Sequence, residues 1–120
     1  MHELGIACSV FDIVRQHVPD ARAGDVRAVR VRVGDLAGVL PDSLDFCFRA
    51  IVSESPYAGA FLRIERIAAR CRCSRCWQTF TLDAPAFVCP ACLSPVVTLV
   101  EGEELQVVDL ELDESGAETP

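Results

Sequence analysis

The chain has 120 residues, with 11 Arg, no Lys and 18 acidic residues, for a formal net charge of −7. That length holds one domain, or one domain with a small insert, and 51% hydrophobic against 24% charged residues excludes wholesale disorder. No apolar run approaches the ~18 residues that cross a bilayer, and the opening Met1-His2-Glu3 is acidic where a secretory leader is basic, so the expected location is cytoplasmic with no membrane partner.

Leu4, Ala7, Cys8, Phe11, Val14 and Val18 fall three or four apart, one face of a helix, while Ile6, Val10 and Ile13 form a second stripe. The sequence therefore predicts a first helix covered on two sides, with Cys8 a small core residue. Pro19, Asp20 and Gly24 end it. Val29, Val31 and Val33 alternate with Arg30 and Arg32, the period of a strand with one buried face, and Gly34-Asp35 closes it. Pro41-Asp42-Ser43 suits a first helical turn, and Leu44, Cys47, Phe48 and Ile51 continue it at helical spacing. Cys47, like Cys8, is expected in the core. After the breaker Ser55-Pro56-Tyr57, the segment Ala60 to Ile67 alternates as a second strand, and Leu105 to Leu112 forms a third. The apolar parity of that last strand shifts between Val107 and Val108, as at a bulge.

This order predicts an α/β fold: two helices packed on a three-stranded sheet, with an inserted zinc-ribbon-like lobe. The expected boundaries are residues 1–70 with 101–113 for the α/β domain and 71–100 for the insert. Residues 114–120, polar and acidic, are expected to form a disordered tail.

Five of the seven cysteines crowd into residues 71–92, and an odd number fits a disulfide framework poorly. Cys73-Ser-Arg-Cys76 and Cys89-Pro-Ala-Cys92 are two knuckles separated by twelve residues. Each turns two sulfurs toward one point, and together they complete a tetrahedron around Zn²⁺. The residues between them can make a short hairpin, and a structural zinc supplies the stability so small a lobe lacks. A closed four-sulfur site offers no open position for catalysis, so no enzyme is expected. Cys71 could stand in for Cys73, although Cys-x-x-Cys geometry favours Cys73. Trp77 and Phe80 are expected to pack against the lobe.

Residues 63–92 carry five Arg against Glu65 and Asp83, a formal +3 that the −2 of a zinc tetrathiolate reduces to about +1. That is an arginine strip, a solvated face or a protein-contact surface, on an acidic protein. It is not the broad basic surface of a nucleic-acid binder.

Only His2 and His17 are present. The Met1 amine, the deprotonated His2 amide and the His2 imidazole can close fused chelate rings, and three coplanar nitrogens suit Ni²⁺ or Cu²⁺ better than Zn²⁺. His17 lies about 22 Å further along a straight helix and cannot join His2 on one ion. It suits the helix C-terminus, where it complements the dipole.

These elements occur together in one family. Met1-His2-Glu3-Leu4, Val31-Arg32-Val33-Gly34-Asp35, Leu40-Pro41 to Phe48, Gly59-Ala60-Phe61-Leu62, the two cysteine pairs and Gly102-Glu103-Glu104-Leu105 make the chain resemble the HypA/HybF hydrogenase nickel-incorporation proteins along nearly its whole length. The resemblance implies a metallochaperone that delivers Ni(II), a transient cargo, to the large subunit of [NiFe] hydrogenase beside a HypB-type GTPase. It implies nickel at His2 with the Met1 amine, and structural Zn(II) at Cys73, Cys76, Cys89 and Cys92. Cys71 departs from the usual pattern. The competing reading is a zinc-ribbon binding module for nucleic acid or protein, which needs one metal and no free N-terminus.

Overall fold

Strand β1 (Val26–Gly34) is the middle of the main sheet in this computed structural model, which describes residues 3–82 and 88–113. Val29, Val31 and Val33 turn to one side and are almost wholly buried, while Arg30 and Arg32 turn to the other. Strand β2 (Phe61–Ile67) runs parallel to β1, and the last strand, β6 (Leu105–Leu112), runs antiparallel to it on the other edge. A parallel pair needs a crossover, which helix α2 (Pro41–Val52) supplies. Arg30 faces Asp109 and Val31 faces Val107, so Val108 is the extra residue of a bulge where the apolar parity shifts.

Helix α1 (Glu3–His17) buries Ile6, Ala7, Val10 and Val14 against β1 and α2, in one core with Leu44, Phe48, Val52 and Tyr57. The Phe11 ring meets Phe48 and Tyr57 edge-on, with centroids 6.4 and 5.4 Å apart. The first helix is less completely covered than its two stripes imply. Leu4 and Cys8 are exposed, because a three-stranded sheet and one neighbouring helix leave that side of α1 to solvent; Cys47 is half-buried. The Nδ1 of His17 lies 2.9 Å from the Ile13 carbonyl in the last turn of α1, the placement that its spacing suggests. A 3₁₀ turn at 20–25 follows.

On the opposite face of the sheet, Arg30 pairs with Asp109, Arg32 with Glu65 and Arg63 with Glu111. These exposed pairs set cross-strand register more than they add stability.

The insert forms its own sheet. Strand β3 (Arg70–Cys73) lies between β4 (Thr79–Thr81) and β5 (Val97–Glu101), antiparallel to both. Of the residues between the knuckles, the described ones supply only β4, which pairs with β3 ahead of the first knuckle and not in a hairpin of its own, and β5 adds a third strand, with Val97 and Leu99 opposite Cys73 and Cys71. At its root, Gly34, Asp35 and Leu36 donate backbone hydrogen bonds to the carbonyls of Glu104, Ile67 and Gly102 at 2.8, 2.9 and 2.7 Å. Residues 83–87, the expected tail at 114–120, and Met1 and His2 lie outside the described residues.

Candidate metal centre

The two Cys-x-x-Cys knuckles are built alike. In the first, the N–H groups of Arg75 and Cys76 point at the Cys73 sulfur from 3.3 and 3.4 Å, and the Trp77 N–H closes the turn on the Cys73 carbonyl at 2.9 Å. In the second, the Ala91 N–H lies 3.4 Å from the Cys89 sulfur, and the Leu93 N–H reaches the Cys89 carbonyl at 2.8 Å. A hydrogen bond from the Ser74 N–H to the Val96 carbonyl, 2.9 Å, ties the two together.

The result is a single cluster in which the sulfurs of Cys73, Cys76, Cys89 and Cys92 all lie within 4.8 Å of one another. Cys73 and Cys92 sulfurs are 3.5 Å apart, and those of Cys76 and Cys89 are 3.7 Å apart. Four sulfurs at ~2.3 Å from one tetrahedral centre are about 3.8 Å from each other, so the cluster has the dimensions of a closed thiolate site before any ion enters it. Four soft donors and no oxygen or nitrogen suit zinc or iron. This is a Cys₄ metal-binding group.

Its electrostatics are uneven. The Cys76 N–H is the main influence that holds the Cys73 thiol down to about 6, with burial opposing it and the Arg75 N–H adding to it. Cys92 is pushed up to about 11: its hydrogen bond from Ser94 favours the thiolate, but sharing with Cys73 and burial outweigh it. A cation entering the site must therefore displace a proton from Cys92 while meeting Cys73 already inclined to charge.

Cys71 is buried but stands outside this group, with Phe80 and Leu99 opposite it on the neighbouring strands. Its side chain belongs to the lobe's interior. Phe80 is half-buried, whereas Trp77 is 71% exposed, which corrects the expectation that it packs against the lobe. The physical reason is the knuckle: the residue after its second cysteine takes φ 66°, a left-handed backbone that turns the side chain outward. Of the arginine strip, Arg63, Arg66 and Arg70 are ion-paired with Glu111, Asp35 and Glu101, and Arg72 and Arg75 have no ion pair among the described residues.

At the start of the chain, the described part begins with Glu3. Its carboxylate accepts the backbone N–H of Leu40 at 3.1 Å. Sequence reasoning leaves the role of the Glu3 side chain open, since a contact between residues 37 apart has no local signal.

Comparison with known proteins extends this geometry. A family profile described as "Hydrogenase/urease nickel incorporation, metallochaperone, hypA" matches residues 1–112. The chain belongs to the HypA family. Hydrogenase maturation factor HypA of Geotalea uraniireducens is 42% identical over 113 residues, 94% of this chain and 100% of that one. The factor of the same name from Streptomyces avermitilis is 41% identical over 114 residues, 92% and 86% of the two chains. The solution structure of the Ni metallochaperone HypA from Helicobacter pylori superimposes with a TM-score of 0.60 at 24% identity, covering 93% of this chain and 97% of that one. At that identity it shows a shared fold alone. No helix among the described residues is long and apolar enough to cross a membrane.

Proposed function

We propose that this protein is a nickel metallochaperone that delivers Ni(II) for assembly of the [NiFe] hydrogenase active site. Nickel is held by the Met1 amine and His2, and structural Zn(II) is held by Cys73, Cys76, Cys89 and Cys92. Residues 1–70 with 101–113 form the nickel-binding domain and residues 71–100 the zinc-binding insert. The protein acts in the cytoplasm, beside a HypB-type GTPase and the hydrogenase large subunit, and catalyses no reaction itself.

The observation that carries this reading is the anchoring of Glu3. The residue after His2 is the first of α1, and its side chain is bonded to the Leu40 N–H at the start of α2. An N-terminal chelate built there starts from a fixed base, the anchored first residue of α1. The four-sulfur cluster is closed and fit for a permanent ion.

Untagged protein should bind one labile nickel and one retained zinc. His2→Ala should lose the nickel and keep the zinc. The chain has no Lys, so amine-specific acylation is confined to the α-amine, and it should abolish nickel binding and be slowed by bound nickel. Full nickel retention after His2→Ala or after acylation would overturn the N-terminal site and favour a plain zinc module.

A further inference from the structure

The two knuckles bring their four sulfurs together on unequal terms. Cys73 and Cys89, the first cysteine of each, are buried, while Cys76 and Cys92, the second of each, are exposed. Backbone donors follow the same division. The Cys73 sulfur accepts the N–H groups of Arg75 and Cys76, and the Cys89 sulfur those of Ala91 and Cys92. Among the described residues, the Cys76 sulfur has one such donor, the N–H of Gln78, and the Cys92 sulfur one, the N–H of Ser94. Each N–H draws electron density from a thiolate sulfur, and a less basic sulfur is a weaker nucleophile. Burial and hydrogen bonding thus quiet the same two sulfurs. The other two are both easier to reach and richer in electrons.

We propose that Cys76 and Cys92 are the reactive edge of the four-sulfur site, the pair at which soft carbon electrophiles modify the protein and open its metal shell. The inference rests on the reading of this cluster as an occupied thiolate site, and it holds for zinc or iron, with or without nickel at the N-terminus. When an alkyl halide modifies either residue, an electron pair of the sulfur forms the carbon–sulfur bond. The halide leaves with the pair of the broken carbon–halogen bond. The product is an uncharged thioether, a poorer ligand than a thiolate, so three thiolates remain where four had closed the site. Cys73 and Cys89 are held back from this step, each buried and bonded by two amides of its own knuckle. Two cysteines outside the cluster give reference points, since Cys8 is exposed on α1 and Cys71 is buried in the lobe.

The metal-loaded full chain, its metal content measured beforehand, is treated with iodoacetamide below one equivalent per cysteine. Labelled residues are mapped by tandem mass spectrometry while a chromogenic chelator follows the released ion. Cys76 and Cys92 should label about tenfold faster than Cys73 and Cys89, and Cys71 should stay unlabelled. Ion release should keep pace with label at Cys76 and Cys92, and Cys8→Ser should leave it unchanged. In denaturant with a chelator the difference among the four should vanish, because the folded knuckles create it. Equal labelling of the four in a chain shown to hold its ion overturns the proposal, as does faster labelling of Cys73 or Cys89. So does full label at Cys76 and Cys92 with the ion retained, or a difference that persists in denaturant. A chain that holds no ion overturns the metal reading first and this proposal with it.

Discussion

The carboxylate of Glu3 accepts the N–H of Leu40, the residue that caps α2 and has no side-chain oxygen of its own to offer that helix. One acceptor thus joins the first turn of α1 to the start of α2. Glu3→Ala should loosen both helix starts by about 1 kcal/mol and weaken nickel binding severalfold, whereas Glu3→Gln should hold both near wild type, because an amide oxygen still accepts. Leu40→Pro, which removes the donor and leaves Glu3 intact, should reproduce the Glu3→Ala loss in nickel titrations. Wild-type affinity in Leu40→Pro would show that the bond is not what steadies the site.

At the root of the lobe, a Cβ on Gly34 would overlap the Gly102 carbonyl, and one on Gly102 would come within 2.6 Å of the Ala69 Cα. Gly102 also has φ 127°, beyond the usual reach of a side chain. Gly34→Ala and Gly102→Ala should each destabilise by on the order of 3 kcal/mol, measured by urea unfolding, because the neighbours are backbone and cannot rotate aside. Gly24→Ala, with open space around it, serves as the control.

Tyr57 is buried, and its hydroxyl donates to the Val18 carbonyl at 2.6 Å beside the Asp20 carboxylate at 3.2 Å. Burial and then the bond to Asp20 raise its pKa above the usual 10. A raised value in the folded state means that the folded protein keeps a proton the unfolded chain gives up. The stability is therefore full below pH ~10 and is lost as pH climbs from there through the folded value. Tyr57→Phe should remove this alkaline dependence while unfolding at a lower midpoint near neutral pH, which denaturant curves at several pH values would show.

Removing the metal with a chelator should collapse the amide dispersion of β3, β4 and β5 while β1, β2 and β6 keep theirs, since only the insert lacks a sizeable apolar core. Cys71→Ser should retain zinc, because Cys71 is outside the sulfur cluster, and Cys73→Ser should not. The reverse pattern in metal analysis would move the ligand to Cys71.

On the proposed N-terminal chelate, nickel should leave as pH falls from about 8 to 6 while the ion of the sulfur cluster remains, because an amine and an imidazole coordinate only when unprotonated. Parallel metal analysis across that range is the check, and equal retention of both ions at the lower pH would contradict the chelate.

Much of this architecture is legible in local pattern. The valines of β1 declare their buried face, Pro41 starts α2, and the parity slip at Val108 marks the bulge before any partner strand is known. The cysteine spacing likewise foretells the cluster, because a knuckle is a local structure. What escapes is whatever depends on distant neighbours. Cys8 and Leu4 sit in a helix apolar on most sides, so periodicity cannot say which stripe the small sheet covers. Tyr57 has no periodic companions, and its partner Val18 lies 39 residues away. Strands as short as β3 and β4 have too few residues to show an alternation. The outward turn of Trp77 follows from a backbone sign that its hydrophobicity conceals.

The three consecutive donors of Gly34, Asp35 and Leu36 grip both strands of chain that enter and leave the lobe, and they do so entirely through main-chain atoms. The bearing of the sulfur cluster relative to the helices is thus encoded in peptide groups, which every residue but proline supplies. Side chains on the lobe's surface are therefore free to drift without altering where the lobe is aimed, as long as Gly34 and Gly102 keep the crossing narrow.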